Sequence, residues 1–240
     1  MVWFVPENVP LPANFIGCDP SSPGVPAGFS SYQRHLPHWR IPGSCYFTTF
    51  RMGDSIPETV LSEMKRELED WDRRLHEASL RNRGTLPLEE MEAWRRFQRN
   101  HLRKLEQILD QGLGECLLRD PDHRQIVVDA LRHFDGTRCD MFAFTVMPNH
   151  VHVLCRPLDD HELEDLCRSW KWYSTWRIQR RRGKRGGLWQ QENFDRVIRD
   201  GEHYAKVVRY IANNPLAAKL RDDEAAVWLC EEICEANPRT

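Results

Sequence analysis

Three consecutive stretches decide the fold: Cys139-Asp140-Met141-Phe142-Ala143-Phe144-Thr145-Val146, then Met147-Pro148-Asn149, then His150-Val151-His152-Val153-Leu154-Cys155-Arg156. Two alternating apolar runs joined by a short Pro/Asn connection read as an antiparallel β-hairpin. On the first run the period of two puts Phe142, Phe144 and Val146 on one face. On the second, His150, His152, Leu154 and Arg156 project one way, and Val151, Val153 and Cys155 the other. Two imidazoles side by side on a strand can grip one cation while Val151 turns into a core. The plainer alternative is a structural pair, but neighbouring imidazoles that both became protonated would repel.

Outward from this hairpin, Cys45 to Phe50 is a first β-rich run. A helix opens at Pro57-Glu58 and carries Leu61, Met64, Leu68, Trp71 and Leu75 at helical spacing. Asn82 to Pro87 interrupts it, and Leu88 to Leu109 resumes as a second charged amphipathic helix, so residues 57–110 read as an inserted helical hairpin. Pro121-Asp122 starts a helix bearing Ile126, Val127, Ala130, Leu131 and Phe134, closed by Asp135-Gly136. Glu162 to Arg182 is helical and ends at Gly183, Gly186 and Gly187. Trp189 to Arg199 is extended or irregular, with room for a short fourth strand. The spacing predicts a last helix from Gly201 to Asn213, stopped ahead of Pro215 by proline sterics. Strands and helices in this order specify an α+β sandwich, a small antiparallel sheet with packed helices. Residues 1–30, with six prolines between Pro6 and Pro26, read as an irregular arm or a disordered leader.

Tyr210-Ile211-Ala212-Asn213-Asn214-Pro215 supplies a second group of chemical side chains. Tyr210 and Asn214 are four apart and share a helix face. Alone, Tyr210 is an ordinary packing residue. Its interest comes from Asn214, whose amide oxygen could complete the histidine site and bring the phenol to a metal-bound phosphate. A phenol of pKa about 10 is a poor nucleophile at neutral pH. A cation that withdraws charge from the phosphate oxygens and the leaving group makes it sufficient. Two histidines, an amide and open positions suit Mg²⁺ or Mn²⁺. Tyr204, on another helix face, and Tyr173, on the preceding basic helix, are weaker candidates.

Composition sets the bounds. The chain has 240 residues, 40% hydrophobic and 29% charged, and a net charge of −2, so bulk electrostatics does not announce nucleic acid. No stretch approaches the roughly 20 apolar residues a membrane helix needs, and Met1 to Cys18 lacks the basic start of a secretory signal. Eight cysteines without a CxxC read as reduced, buried thiols in a cytoplasmic protein. Charge is concentrated instead. From Arg168 to Gln191 there are eight Lys or Arg residues and no Asp or Glu, interleaved with Trp170, Trp172, Tyr173, Trp176 and Trp189. Phosphate contacts from cations with bases stacked on aromatics is the chemistry of single-strand binding. Lys171, Arg177, Arg180, Arg181, Arg182, Lys184, Arg185, Trp189 and Arg199 are the candidate nucleic-acid contacts. Trp172 and Trp176, also four apart, suit core or stacking equally.

With those residues assembled, the chain resembles the REP-associated tyrosine transposases, a branch of the single-tyrosine HUH, or IS200-like, transposases. The matching motifs are Met147-Pro148-Asn149-His150-Val151-His152-Val153-Leu154, then Leu188-Trp189-Gln190 leading to Phe194-Asp195-Arg196-Val197-Ile198-Arg199-Asp200, then Tyr210 to Pro215. The resemblance covers about residues 42–220. It implies a ferredoxin-like, RRM-like catalytic domain that cuts and rejoins single-stranded, hairpin-bearing DNA. By the family pattern His150, His152 and Asn214 are metal ligands, and Tyr210 is the catalytic nucleophile that forms a 5′-phosphotyrosine link and releases a 3′-hydroxyl. Residues 1–41 then form a proline-rich arm, 57–110 an insertion in the domain, and 221–240 a C-terminal tail. The implied setting is cytoplasmic, at the nucleoid when bound to DNA, with no membrane and no nucleotide cofactor, as a monomer or a homodimer. A non-catalytic single-stranded DNA or RNA binder on the same fold is the alternative.

Overall fold

The computed structural model describes residues 5, 6, 8–17, 30–33, 37–82 and 85–236, with 30–33 and 37–40 as backbone alone. The elements run β1 (Ser30–Gln33), β2 (Pro37–Arg40), β3 (Tyr46–Arg51), α1 (Glu58–Arg81), α2 (Leu88–Leu109), a 3-10 turn (Leu117–Arg119), α3 (Pro121–Arg132), β4 (Cys139–Val146), β5 (His150–Pro157), α4 (Leu163–Arg182), β6 (Phe194–Val197), α5 (Gly201–Ala217), β7 (Ala226–Leu229) and α6 (Glu231–Glu235). β1 and β2 pair with each other, and five strands form an antiparallel sheet in the order β6-β3-β5-β4-β7. Without α1 and α2, the path from β3 to β6 is βαββαβ, the ferredoxin-like arrangement, so the expected α+β class is borne out.

Local chemistry explains the boundaries. Asp120 caps α3, its carboxylate accepting from the Asp122 and His123 amides, with Pro121 preset for the first helical position. Gly183 ends α4 in the left-handed region at φ 63°, and the Lys184 amide reaches back to the Gln179 carbonyl. Asp200 caps α5 by accepting from the His203 amide.

Both faces of the sheet are covered. Val151, Val153 and Cys155 face a core with Ile126, Leu131, Leu166 and Trp170 from α3 and α4. Leu154 and Phe47 face a second core with Tyr204, Val207, Val208 and Ile211 from α5. β5 is therefore central, and the polar side chains at its His150–His152 end are deprived of bulk water.

Four expectations change. Met141 pairs with Cys155 and Ala143 with Leu154, so Phe142 is the extra residue of a β-bulge. It consequently lies in the α5-side core, opposite Phe144 and Val146. α5 continues past Asn213 to Ala217 with Pro215 inside it. So near the helix end the proline costs little, because amide bonds from Ala218 to Asn214 and from Leu220 to Pro215 carry on the capping. Residues 226–229, expected in a tail, are an edge strand on β4. Within the arm, residues 30–33 and 37–40 pair as strands, and Phe15 meets Tyr204 edge to face. The rest of the expected leader, including 18–29, lies outside the described residues, as do 237–240.

The chain divides into two compact units, Asp54–Glu115 and the remainder. The smaller is the α1–α2 hairpin, where Trp71, Trp94 and Phe97 cluster with ring centroids 5.1–5.7 Å apart. Lys104 and Arg74 pair with Glu67 and Glu90 at 3.0 and 2.8 Å. Gly114 (φ 88°) closes this unit, and a Cβ there would meet the Asp54 carbonyl oxygen at 2.7 Å.

Candidate active site

The site is built on the α5-side face of β5. His150 and His152 are both buried, with their Nε2 atoms 3.1 Å apart. The second nitrogen of each ring is held from outside. His150 Nδ1 lies 2.7 Å from Asn149 Oδ1, and His152 Nδ1 lies 2.7 Å from Thr49 Oγ1 on β3. The amide oxygen can only accept, so it fixes the His150 proton on Nδ1 and leaves a lone pair on Nε2. A hydroxyl donates or accepts, so Thr49 satisfies either tautomer of His152. Without a cation, His152 relieves the facing lone pairs by carrying its proton on Nε2. With Thr49 accepting from Nδ1–H, both Nε2 lone pairs are free to converge on one ion, the orientation an outer partner gives to ligating histidines.

α5 brings the remaining groups. The Tyr210 hydroxyl is 3.2 Å from His152 Nε2, its ring centroid 5.1 Å from the imidazole. Phe47 stacks on His152 and meets Tyr210 edge-on, locking both rings. Asn214 lies one turn beyond Tyr210 and is 1% exposed, yet neither its amide nitrogen nor its oxygen has a hydrogen-bond partner. An orphaned buried amide is costly, and such groups mark places where another partner belongs. Two convergent imidazole nitrogens and this amide fit a divalent cation held by nitrogen and oxygen. Among the described residues no group of three or more His, Cys, Asp or Glu could hold a metal.

Burial lowers the pKa of both histidines, His150 to about 3, with His152 lowered also by its neighbour's charge. In the unfolded chain both return to the ordinary value near 6.5. As pH falls from there, the unfolded chain takes protons the folded site refuses, so stability declines with falling pH, the His150 part levelling off near 3. Urea midpoints measured from pH 7 to 4 should show this slope in metal-free protein, and the His150→Gln, His152→Gln double variant should flatten it.

The structure brings His150, His152 and Tyr210 together, with Asn214 on the Tyr210 face of α5. Tyr204 is instead core, 1% exposed, and burial raises its pKa. Of the basic set, Lys171 is partly buried and donates to the Gln190 and Gln191 carbonyls at 2.8 and 3.1 Å. Trp189 donates from Nε1 to Ser174 Oγ and packs edge-on to Phe50. Both tie the 189–191 passage to the fold, a use that charge and aromatic counting could not show. Arg177 reaches the Tyr173 hydroxyl at 3.0 Å, Arg180 sits over Trp176, and Arg181 pairs with Asp122. Lys184, Arg185 and Arg199 are exposed and Arg182 is partly so. Asn149 and Thr49 were missed as site residues, as was Arg51, a buried cation opposite His150 in the β3–β5 register.

The model of the family described as "Transposase IS200 like" matches residues 119–214, a span that holds His150, His152 and Tyr210 and ends on Asn214. The resemblance to IS200-like transposases expected from the motifs is borne out over that span. Among solved structures, one described as a REP-associated tyrosine transposase bound to a REP hairpin is similar at 15% identity, covering 78% of this chain and 73% of that one, with a TM-score of 0.39. No curated protein matches. No helix among the described residues is long and apolar enough to cross a membrane.

Proposed function

We propose that the protein is a metal-dependent single-strand DNA transferase, in which Tyr210 attacks a phosphodiester of hairpin-bearing DNA. The observation that carries this is the Tyr210 hydroxyl at 3.2 Å from an imidazole pair whose Nε2 atoms converge at 3.1 Å. His150, His152 and Asn214 would hold Mg²⁺ or Mn²⁺, which when bound neutralises charge on the phosphate and leaving oxygen. The Tyr210 oxygen forms a bond to phosphorus, and the bond from phosphorus to the 3′-oxygen breaks. The phenol proton is balanced by the released 3′-hydroxyl, so one phosphodiester is exchanged for another without water or nucleotide. The reverse attack, by another 3′-hydroxyl, rejoins strands. Phe47 restricts the phenol to this direction. Work on chromosomal DNA implies a cytoplasmic, nucleoid-associated protein.

The deciding experiment is incubation with a labelled hairpin-bearing single strand and Mg²⁺ or Mn²⁺, followed by a search for a covalent adduct. A protein that binds such strands tightly and cuts none across many sequences is the non-catalytic binder instead.

The exposed cations of α4 carry the sequence-independent part of the affinity. Replacing Arg180, Arg181 and Arg182 by Ala is expected to weaken single-strand binding about tenfold or more near 0.1 M salt and to flatten the salt dependence. Metal affinity should be unchanged. Equal affinity at low salt would remove this segment from the interface.

A further inference from the structure

We infer that the outer face of α4 is a ledge on which unpaired nucleobases stack, remote from the cleavage site. This rests on the DNA-directed function above. α4 buries Leu163, Leu166, Cys167, Trp170, Ser174 and Ile178 toward the sheet. On its other side, Arg168, Trp172, Trp176 and Arg180 follow at steps of four and form one stripe. Trp172 is 68% exposed and Trp176 46%. Their planes are 3° from parallel with centroids 6.4 Å apart, and the Arg180 guanidinium lies 5.7 Å from the Trp176 centroid. Beside the stripe runs a groove of about 600 Å³, lined by His133, Phe134, Arg168, Trp172 and Tyr173. Two parallel indoles with the Arg180 guanidinium beside one of them match a strand whose bases carry π-faces and whose linkers carry negative charge, while Arg168 at the other end of the stripe pairs with Asp165.

Charge selects this occupant over others. Removing the eight cations of residues 168–191 from 34 Lys and Arg leaves 26 against 36 Asp and Glu, so the rest of the chain is acidic and positive charge is concentrated in this segment. A second copy docked symmetrically here would set those cations against their own images. A bilayer asks for a continuous apolar face, whereas this stripe begins and ends in arginine. Tyr210 lies across the sheet, in the α5-side layer, so a base on the ledge belongs to a segment away from the scissile bond.

The test uses the full chain and fluorescence anisotropy of two labelled 12-mers, oligo-dT and the same backbone with abasic spacers. The wild type should prefer oligo-dT. The double variant Trp172→Ala, Trp176→Ala removes only exposed rings, and should bind oligo-dT about tenfold or more weakly while its affinity for the abasic strand and its salt slope stay unchanged. Equal binding of the two strands by the wild type, or unchanged oligo-dT binding by the variant, overturns the ledge. So does a variant that loses only binding to phosphatidylserine vesicles, or a wild-type dimer in sedimentation that the variant abolishes. Failure of the proposed reaction is read separately: an adduct at Tyr210 with no effect of the indoles rejects the ledge alone. Indole-dependent binding without any adduct rejects the reaction alone.

Discussion

Tyr210→Phe should eliminate the covalent protein–DNA adduct, a loss of at least about a thousandfold, while hairpin binding changes by less than about twofold. The asymmetry follows from what the substitution removes. Phe keeps the ring that meets Phe47 edge-on and the imidazole of His152, so packing around the site is preserved. Only the oxygen that would bond to phosphorus is lost, and no neighbouring hydroxyl can replace it. Tyr204 is sealed in the core against Phe15 and Phe142. Tyr173 is on α4, in the opposite layer, engaged with Arg177. Thr49 is buried behind His152. Tyr204→Phe and Tyr173→Phe should therefore keep the adduct. Labelling resolves polarity: a 5′-phosphotyrosine link attaches the fragment downstream of the cut, so a 3′-label should migrate with the protein and a 5′-label should be released. An adduct that persists in Tyr210→Phe would transfer the nucleophile to another residue.

How far the sequence revealed this site depended on distance along the chain. The β4–β5 hairpin was legible because alternation is a local signal and the turn residues stand between the runs. The same period put Phe142 on the wrong face, since the bulge that turns it over arises from pairing with β5 and leaves no mark in β4 alone. Pro215 does not end the helix where its sterics predict. A rule for the residue before proline works against a helix interior, but here one turn remained and the capping amides were available. The four-residue strand Ala226–Leu229 is too short to announce itself without β4 beside it. Tyr210 and Asn214 were legible from helical spacing joined to the family's motif pattern, whereas Thr49 and Arg51 acquire their place only from the register of β3 against β5. The basic segment was legible as charge. Which of its members are spent on packing, as Lys171 and Trp189 are, is a tertiary fact.

Asn214→Leu should do two opposite things: stabilise the metal-free protein and abolish its stabilisation by Mg²⁺ or Mn²⁺. The Asn214 amide is enclosed with both polar atoms unpartnered, a condition that costs about 1–3 kcal/mol for each unsatisfied group. Leu has nearly the same shape and no polar atom, so relieving at least one of these groups should gain the metal-free fold about 1–3 kcal/mol, roughly 2–12 °C in melting temperature for a chain of this size. In the wild type, a cation at a hundred times its dissociation constant adds about 2.7 kcal/mol, and this increment should disappear from the variant together with adduct formation. Asn214→Asp supplies the control of opposite sign. A buried carboxylate without its cation should lower metal-free stability, and saturating metal should restore it. Thermal melts of the three proteins, with and without metal, separate a ligand from a packing residue. If Asn214→Leu melts lower than the wild type without metal and still shifts upward with it, the amide has a structural role and the cation is held by other groups.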